Sequence, residues 1–267
     1  MTLLSVNLNK IALLRNSRLG DRPSVVNAAR QAIEQGALGI TVHPRPDQRH
    51  IRPQDVYDLA RLLREEYPHI EFNIEGNPFA GPSDNGYPGF DTLIETTRPQ
   101  QVTLVPDNDD QLTSDHGWDL SEDTALLKDK IAFYHSMGAR VSLFMDPVRE
   151  QIIAAKAHEA ERIEFYTGPY AETYWANGAE HPATQASFTA YTDAANLALE
   201  IGLGINAGHD LDQANLPLFA TLPGLQEVSI GHAIICESLE SGFAPTIRAY
   251  VDILSYCLLY TSDAADE

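Results

Sequence analysis

Polar and titratable side chains follow almost every short apolar run in this sequence. His43, Glu75 and His209 stand at the ends of runs that are rich in Val, Ile and Phe. Imidazole and carboxyl groups are common proton donors and acceptors in catalysis, and histidine titrates close to neutral pH. Glu164 lies inside another run, where a buried carboxylate must be paired or must face a polar interior. The four residues together predict general acid–base chemistry.

Glycines and arginines near the same run ends indicate anion binding. Gly208 precedes His209 and Gly231 precedes His232, and glycine lets backbone N–H groups approach an anion closely. Four arginines follow the first two runs, and their planar, permanently charged guanidinium groups suit phosphate oxygens. They are Arg15, Arg18, Arg45 and Arg49. Two separate regions of this kind could serve two phosphate groups.

Several common ligand-binding motifs are missing from the sequence. It contains no GxxxxGK[ST], no GxGxxG and no HExxH. The first apolar run ends in Asn7-Leu8-Asn9, whereas barrel metallohydrolases use HxH at that place. No spacing of ligands therefore supports a metal site, and the sequence predicts none.

The apolar runs themselves predict eight buried parallel strands. They are Leu3–Val6, Gly39–Val42, Ile70–Ile74, Gln101–Val105, Arg140–Phe144, Arg162–Tyr166, Gly204–Ile205 and Glu227–Ile230. Their starts lie 22 to 42 residues apart, which leaves room for a crossover helix in every gap. Eight strand–helix units favour an α/β fold of the closed (β/α)8 TIM barrel type over an open sheet. In that fold the carboxyl ends of all strands meet at one rim, where the chemistry resides.

Helical periodicity in three of the gaps supports the strand–helix alternation. Apolar residues repeat at helical spacing before Gly36, before Gly138 and, over residues 183–201, before Gly202. Glycine is the usual residue just after a helix, so these three helices are expected to end there. Two long loops, over residues 77–89 and 106–117, are expected at the active face. We predict one barrel domain over residues 1–260 and a disordered or non-native tail over residues 261–267.

Composition excludes several classes of protein. The chain has 267 residues, with 18 Lys and Arg against 38 Asp and Glu, so its net charge is −20. Its overall field disfavours binding to nucleic acid or to an anionic membrane. The two cysteines lie 21 residues apart and provide neither a disulfide framework nor a metal knuckle. No apolar stretch reaches 18 residues and the first residues do not read as a signal peptide, so a cytoplasmic protein is expected.

Eight segments of the sequence resemble the pyridoxine 5′-phosphate synthase family of vitamin B6 biosynthesis. They are VNLNKIALLRNSR (6–18), GITVHPRPDQRHI (39–51), FNIEGNP (72–78), VTLVPD (102–107), VSLFMD (141–146), RIEFYTGPYA (162–171), INAGHDL (205–211) and VSIGHAII (228–235). They occur in the order of the family and span most of the chain. The resemblance implies a (β/α)8 barrel with extra helices that assembles as a homo-octamer.

The resemblance also implies a reaction. Members of that family are transferase-class enzymes that condense 1-deoxy-D-xylulose 5-phosphate with 3-amino-2-oxopropyl phosphate. The products are pyridoxine 5′-phosphate, inorganic phosphate and water, and neither a metal nor an organic cofactor takes part. The partners expected from the resemblance are therefore two small phosphorylated substrates.

Roles for individual residues follow from the same resemblance. His43 and Glu75 correspond to proton acceptors, His209 to the proton donor, and Glu164 to a carboxylate that stabilises charged transition states. Residues that match the family's contacts to the aminoketone phosphate are Asn7, Arg18, Gly231 and His232. Residues that match its contacts to the deoxyxylulose phosphate are Arg45, His50 and Thr113.

Two positions depart from the family pattern. Many members have Asp-His where this chain has Asn9-Lys10. Lys10 keeps a positive charge for phosphate at this place, although a carboxylate is lost. Many members have Gly where this chain has Asp210 after the histidine of NAGH. The backbone N–H of Asp210 can still bind phosphate. We therefore expect Asn9, Lys10 and Asp210 to belong to the substrate-binding residues.

Two other functions remain open from the residues alone. Another barrel enzyme acting on sugar phosphates, such as an isomerase, epimerase or aldolase, would share the phosphate rim. Such an enzyme would use a metal or a Schiff-base lysine, and Lys10 is the lysine near a strand end. A non-catalytic phosphate-binding protein is the second alternative, and it is disfavoured by the presence of His43, Glu75, Glu164 and His209.

Overall fold

Eight parallel strands close into a barrel in which each strand pairs with the next along the chain and β8 pairs with β1. The computed structural model describes residues 2–108, 111–121 and 124–263, with side chains as far as residue 255. The strands are β1 Leu3–Asn7, β2 Gly39–Val42, β3 Glu71–Gly76, β4 Gln101–Leu104, β5 Arg140–Met145, β6 Arg162–Tyr166, β7 Gly204–Gly208 and β8 Leu225–Ile230. The predicted TIM barrel is confirmed.

Eleven helices surround the barrel in the described part of the chain, and at least one follows each strand. They are α1 Asn9–Asn16, α2 Val25–Glu34, α3 Pro53–Glu66, α4 Phe90–Thr97, α5 Ala125–Ser136, α6 Arg149–Ala157, α7 Gly168–Asn177, α8 Pro182–Glu200, α9 Leu216–Phe219, α10 His232–Ser241 and α11 Phe243–Asp263. The extra helices expected from the resemblance are therefore present. The three helices predicted from periodicity correspond to α2, α5 and α8.

The barrel has a polar interior and an apolar outer face. Contacts between strands that are not neighbours identify the interior side chains, because such contacts must cross the barrel. Thr103 of β4 hydrogen-bonds Glu164 of β6, and Ser229 of β8 lies 3.5 Å from a carboxylate oxygen of Glu75 in β3. The alternate residues of each strand, such as Ile74 and Val228, are buried and apolar and belong to the core beneath the helices.

This polar interior explains why several strands are longer than predicted. Strand β7 continues through Asn206 to Gly208, and β3 continues through Glu75 to Gly76. Every second residue of these strands faces the polar interior, so the strands continue through polar residues that interrupt the apolar pattern. The eight predicted positions are right, and the carboxyl ends of β3 and β7 were placed too early.

An interlocked layer of polar side chains fills the amino end of the barrel. Arg140 pairs with Glu71, and Arg162 lies 3.6 Å from Glu227. The amide oxygen of Gln101 accepts hydrogen bonds from both arginines, at 2.9 and 3.3 Å. Arg140 and Glu71 therefore neutralise each other, whereas burial and the negative charge of Glu71 raise the pKa of Glu227 to about 8.

The last helix extends past the predicted domain boundary. Helix α11 runs to Asp263, so residues 261–263 of the expected tail are helical, and residues 264–267 lie outside the described residues. Within the described residues, no helix is both long and apolar enough to span a membrane.

Candidate active site

A cavity of about 350 Å³ opens at the carboxyl end of the barrel. Its walls contain every predicted site residue except Arg15 and Arg18. They are Asn7, Asn9, Lys10, His43, Arg45, His50, Glu75, Thr113, Glu164, His209, Asp210, Gly231 and His232. Residues from seven strands or from the loops and helices that follow them thus meet at one place, as the barrel fold predicts. The volume suits small-molecule ligands.

Two of the predicted phosphate-binding arginines lie elsewhere. Arg18 is exposed and does not line the cavity. Arg15 is buried, and its guanidinium donates to Asp55 at 2.9 Å and to the backbone carbonyl of His50 at 3.2 Å. Arg15 therefore holds α1 against α3. Its guanidinium group is paired with Asp55 and does not face the cavity.

His43 and Glu75 face each other across the floor of the cavity. Nδ1 of His43 lies 4.0 Å from Oε2 of Glu75, and both residues are less than one-tenth exposed. Burial, together with the nearby positive charge of Arg45, lowers the pKa of His43 well below its usual range. Its imidazole is therefore neutral at pH 7 and can accept a proton.

Burial has the opposite effect on Glu75. Burial, reinforced by the negative charge of Asp107, raises the pKa of Glu75 from 4.5 to about 7. Hydrogen bonds from Ser229 and from Asn7, whose amide donates to Oε2 at 3.3 Å, only partly oppose this rise. A carboxyl group with such a pKa exchanges protons readily at neutral pH.

Glu164 projects into the interior beneath these two residues. It is 3 % exposed, and the hydroxyl of Thr103 donates to its Oε2 at 3.4 Å. Burial and the neighbouring carboxylates Glu75 and Glu227 raise its pKa well above the usual value. A Cβ atom on Gly208 would lie 2.5 Å from Oε1 of Glu164, so only glycine at this position leaves room for the carboxylate.

His209 occupies the rim of the cavity in an unusual backbone conformation. Its φ is 82° and that of Asp210 is 58°, a left-handed region in which a non-glycine residue costs about 1–3 kcal/mol. The imidazole contacts Asp210 through Nδ1 and Thr113 through Nε2, both at 2.7 Å. A histidine with a strained backbone conformation, and with both ring nitrogens in contact with other side chains, is typical of a functional position.

Asn9 has a role that the sequence did not predict. Its Oδ1 accepts a hydrogen bond from the backbone N–H of His43 at 2.9 Å. The side chain of Asn7 is likewise bonded within the chain, since its Oδ1 accepts from the N–H of Asn9 at 3.0 Å. The two asparagines thus connect the ends of β1 and β2 and fix the position of His43.

Positive charges cluster on two sides of the cavity despite the acidity of the chain. Arg45 and Arg49 lie on one side, where each donates to the backbone carbonyl of Gln111. Lys10 and the amino terminus of α10, with Gly231 and His232, lie at the cavity wall as well. A helix amino terminus presents free N–H groups and a partial positive charge to anions.

His50 completes the side that contains Arg45. Burial and the charge of Arg45 lower its pKa to about 3, so its imidazole is neutral. Its Nδ1 accepts from the backbone N–H of Ile51 at 2.9 Å, which leaves the hydrogen on Nε2. His50 is therefore a neutral hydrogen-bond donor.

Three residues of the site were missed by the sequence analysis. Asp107 pairs with the buried Arg45, Ser229 contacts Glu75, and Thr103 contacts Glu164. Ser229 and Thr103 could have been found from strand periodicity. Side chains two residues apart in a strand face the same side, and each of these two residues lies two positions from another polar residue of the barrel interior. Asp107 lies three residues after the end of β4, as the last residue of the matched segment VTLVPD.

The donors in the described residues do not form a metal cluster. Across residues 2–108, 111–121 and 124–255, no group of three or more His, Cys, Asp or Glu side chains is arranged to hold an ion. What the cavity offers is titratable groups on its floor and anion-binding groups on its sides.

Comparison with known proteins agrees with this geometry. Residues 4–256 match the family described as pyridoxal phosphate biosynthesis protein PdxJ. The pyridoxine 5′-phosphate synthase of Xanthomonas oryzae pv. oryzae is 57% identical over 254 residues, which cover 95% of this chain and 96% of that protein. The corresponding protein of Xylella fastidiosa is 51% identical and covers 95% of both chains.

Solved structures with similar folds are distant in sequence and support the barrel alone. Thiamine phosphate pyrophosphorylase from Pyrococcus furiosus superimposes with a TM-score of 0.59 at 12% identity, over 96% of both chains. Phosphoribosyl anthranilate isomerase from Thermus thermophilus gives 0.56 at 14% identity, over 96% of this chain and 99% of that one. From the match to the family and the identity to its curated relatives, we conclude that the chain belongs to the PdxJ family of pyridoxal phosphate biosynthesis proteins.

Proposed function

We propose that this protein is a pyridoxine 5′-phosphate synthase. It condenses 1-deoxy-D-xylulose 5-phosphate with 3-amino-2-oxopropyl phosphate and yields pyridoxine 5′-phosphate, inorganic phosphate and water. The observation that carries the proposal is the meeting of His43, Glu75 and His209 around one cavity. The name of the relatives that are 57% identical supports the choice of reaction.

The two positive sides of the cavity hold the two phosphate groups. Arg45 and His50, with Thr113, bind the phosphate of deoxyxylulose phosphate. Asn7, Gly231 and His232 bind the phosphate of the aminoketone, and Asn9, Lys10 and Asp210 lie at the same wall. Anchoring both reactants turns a reaction between two molecules into one within a single complex, which removes much of its entropic cost. Arg18 lies outside the cavity, so its contact with the aminoketone phosphate stays a prediction.

Ring formation requires repeated proton transfers, and the floor of the cavity supplies groups for them. His43, which is neutral, and Glu75, whose pKa is about 7, accept protons from the condensing substrates. His209 returns a proton to a departing oxygen. Glu164 stabilises the positive charge that develops on nitrogen-containing intermediates, because a cation beside this buried carboxyl group favours its ionised form and then interacts strongly with it.

Several broader properties belong to the same proposal. The enzyme is of the transferase class, forms a homo-octamer, requires neither metal nor organic cofactor, and consists of a single barrel domain. It acts in the cytoplasm on small phosphorylated molecules and does not bind nucleic acid or membranes.

Direct assay tests the proposal. The purified protein is incubated with both phosphates, and pyridoxine 5′-phosphate is detected by its absorbance and mass, with reactions that omit either substrate as controls. Product formation that requires both substrates is expected. A folded protein that forms no pyridoxine 5′-phosphate would refute the proposal.

An aldolase that uses Lys10 is the second candidate, because this lysine lines the cavity. Borohydride treatment in the presence of a sugar phosphate traps a Schiff base as a stable adduct. An adduct on Lys10 would favour the aldolase, whereas we expect none.

A further inference from the structure

We propose that Asp210 is a positioning residue that acts through His209, fixing which ring nitrogen carries the hydrogen and holding the imidazole at the cavity. This inference rests on the proposed role of His209 as a proton donor. It assigns Asp210 a task that differs from phosphate binding, and it gives the departure from glycine at this position a chemical meaning.

The contacts of His209 restrain the ring on three sides. Oδ2 of Asp210 lies 2.7 Å from Nδ1, and Oγ1 of Thr113 lies 2.7 Å from Nε2. The ring of Tyr166 packs edge-on with a centroid distance of 5.3 Å. An aspartate on one nitrogen and an exchangeable partner on the other is the arrangement that orients a histidine for acid–base catalysis.

The charge on Asp210 decides the tautomer. Burial raises the pKa of this carboxyl group, but the hydrogen bond from His209 and electrostatic interactions with His209, His232 and Lys10 outweigh burial and lower the pKa below its usual value. Asp210 is therefore ionised at neutral pH and can only accept a hydrogen bond. Nδ1 must donate to it, and Nε2 of the neutral ring accepts from the hydroxyl of Thr113.

A balanced proton cycle follows from this tautomer. Nε2 takes up a proton that an earlier step of the condensation releases from the substrates. The resulting imidazolium is stabilised by the carboxylate of Asp210, which itself stays unprotonated. Nε2 then gives the proton to the departing oxygen of the substrate, and the ring returns to the neutral form with its hydrogen on Nδ1. Thr113 releases Nε2 when the substrate oxygen takes its place.

The backbone makes the contact between neighbouring residues possible. Adjacent side chains of a strand point to opposite faces, so a residue and its successor do not normally meet. Here β7 ends at Gly208, and the φ values of 82° at His209 and 58° at Asp210 bring the two side chains together. Glycine would adopt this conformation with less strain, and yet the position holds an aspartate.

A second pair of the same kind serves as the control. Asp115 and His116 are also consecutive, with Oδ1 and Nδ1 2.5 Å apart, but both side chains are more than half exposed and neither lines the cavity. Asp115→Asn removes the same charge from the same kind of pair. The other titratable groups near His209, namely Lys10, Tyr166, Glu164 and His232, are unchanged in both variants.

Nitrogen-15 NMR of the histidine-labelled protein tests the tautomer without any substrate. His209→Gln identifies the signals of His209. We expect the neutral ring of the wild type to carry its hydrogen on Nδ1 and that of Asp210→Gly to carry it on Nε2. The same tautomer in both proteins would overturn the proposal, and this holds even if the protein makes no pyridoxine 5′-phosphate.

Kinetics test the consequence for catalysis. Asp210→Asn and Asp210→Gly should lower kcat about 10- to 100-fold, less than the roughly 10⁴-fold cost in a fully buried triad because His209 is only half buried. KM should change by less than about threefold, because a positioning group acts mainly in the transition state.

Stability separates positioning from a merely structural role. Asp210→Gly should leave Tm unchanged or raise it, because glycine relieves the strain of the left-handed backbone. Asp115→Asn should leave kcat and the tautomer of His209 unchanged. A fall in both Tm and kcat with an unchanged tautomer of His209, or a wild-type kcat in Asp210→Gly, would overturn the proposal.

Discussion

Glu71 and Glu75 lie on the same strand and face the same interior, yet their surroundings differ. Both belong to β3, four residues and about 13 Å apart. Glu71, at the amino end, pairs with Arg140 inside a filled polar layer. Glu75, at the carboxyl end, borders the cavity and has His43 at 4.0 Å, and among the described residues neither a lysine nor an arginine forms an ion pair with it.

This difference separates a carboxylate that serves the fold from one that serves chemistry. A buried charge that is matched by an arginine gains back part of its lost hydration. A buried carboxyl group without such a partner holds its proton more tightly, and the pKa of Glu75 is accordingly raised to about 7 by burial. At the carboxyl end of the barrel, the buried carboxyl group of Glu75 lowers stability but titrates at neutral pH.

The largest effect is expected on turnover when the carboxyl end is altered. Glu75→Gln keeps the shape of the side chain and removes its proton exchange, so kcat for pyridoxine 5′-phosphate formation should fall about 10²- to 10⁴-fold. His43→Ala should act similarly. The matched variant Glu71→Gln should keep kcat within about twofold, because its carboxylate lies away from the cavity. Equal losses of kcat in Glu75→Gln and Glu71→Gln would show that the two glutamates do not differ in their contribution to catalysis.

Although Glu75→Gln should lower turnover, it should stabilise the protein, and the gain in stability should depend on pH. Below pH 4.5 Glu75 is protonated in both the folded and unfolded states; between pH 4.5 and about 7 only the folded state retains the proton. The free energy of unfolding therefore falls as pH rises through this window and levels off above it. Glu75→Gln removes this loss and should stabilise the protein at pH 8 by on the order of 3 kcal/mol.

Thermal unfolding at pH 4.5, 6 and 8 measures this effect. The gain of Glu75→Gln over the wild type should be smallest at pH 4.5 and largest at pH 8. A gain that does not depend on pH would mean that Glu75 titrates near its ordinary value in the folded protein.

A smaller effect of opposite sign is expected at the amino end. Glu71→Gln removes the partner of Arg140 in a partly buried pair, so it should destabilise the protein by about 1 kcal/mol and lower Tm by about 2–4 °C. The exposed pair of Arg30 and Glu66 provides the control, and Glu66→Gln should change Tm by less than about 1 °C. An unchanged Tm in Glu71→Gln would show that the filled layer does not depend on this ion pair.

The sequence predicted the barrel and most of the cavity because two simple regularities carry that information. Apolar runs mark the strands, and the fold brings the carboxyl ends of all strands together, so His43, Glu75 and His209 could be placed at one rim without coordinates. The polar interior caused the errors in strand length, since Asn206 and Glu75 interrupt the apolar pattern.

The partners of the charged residues could not be predicted. Arg15 and Arg45 have the same charge and similar positions after strands, but Arg15 binds Asp55 away from the cavity while Arg45 binds Asp107 beside it. The separations of 40 and 62 residues between these partners exceed what local patterns encode. The contact between Thr113 and His209, 96 residues apart, is of the same kind.

Closure of the barrel also constrains how the chain can be synthesised. Leu3 of β1 pairs with Glu227 of β8, so one edge of β1 has no partner until 224 further residues have been made. At about 5–20 residues per second, this edge waits for roughly 10–45 seconds on the ribosome. An unpaired strand edge is a template for association with other chains, so β1 is open to such pairing until β8 closes the barrel.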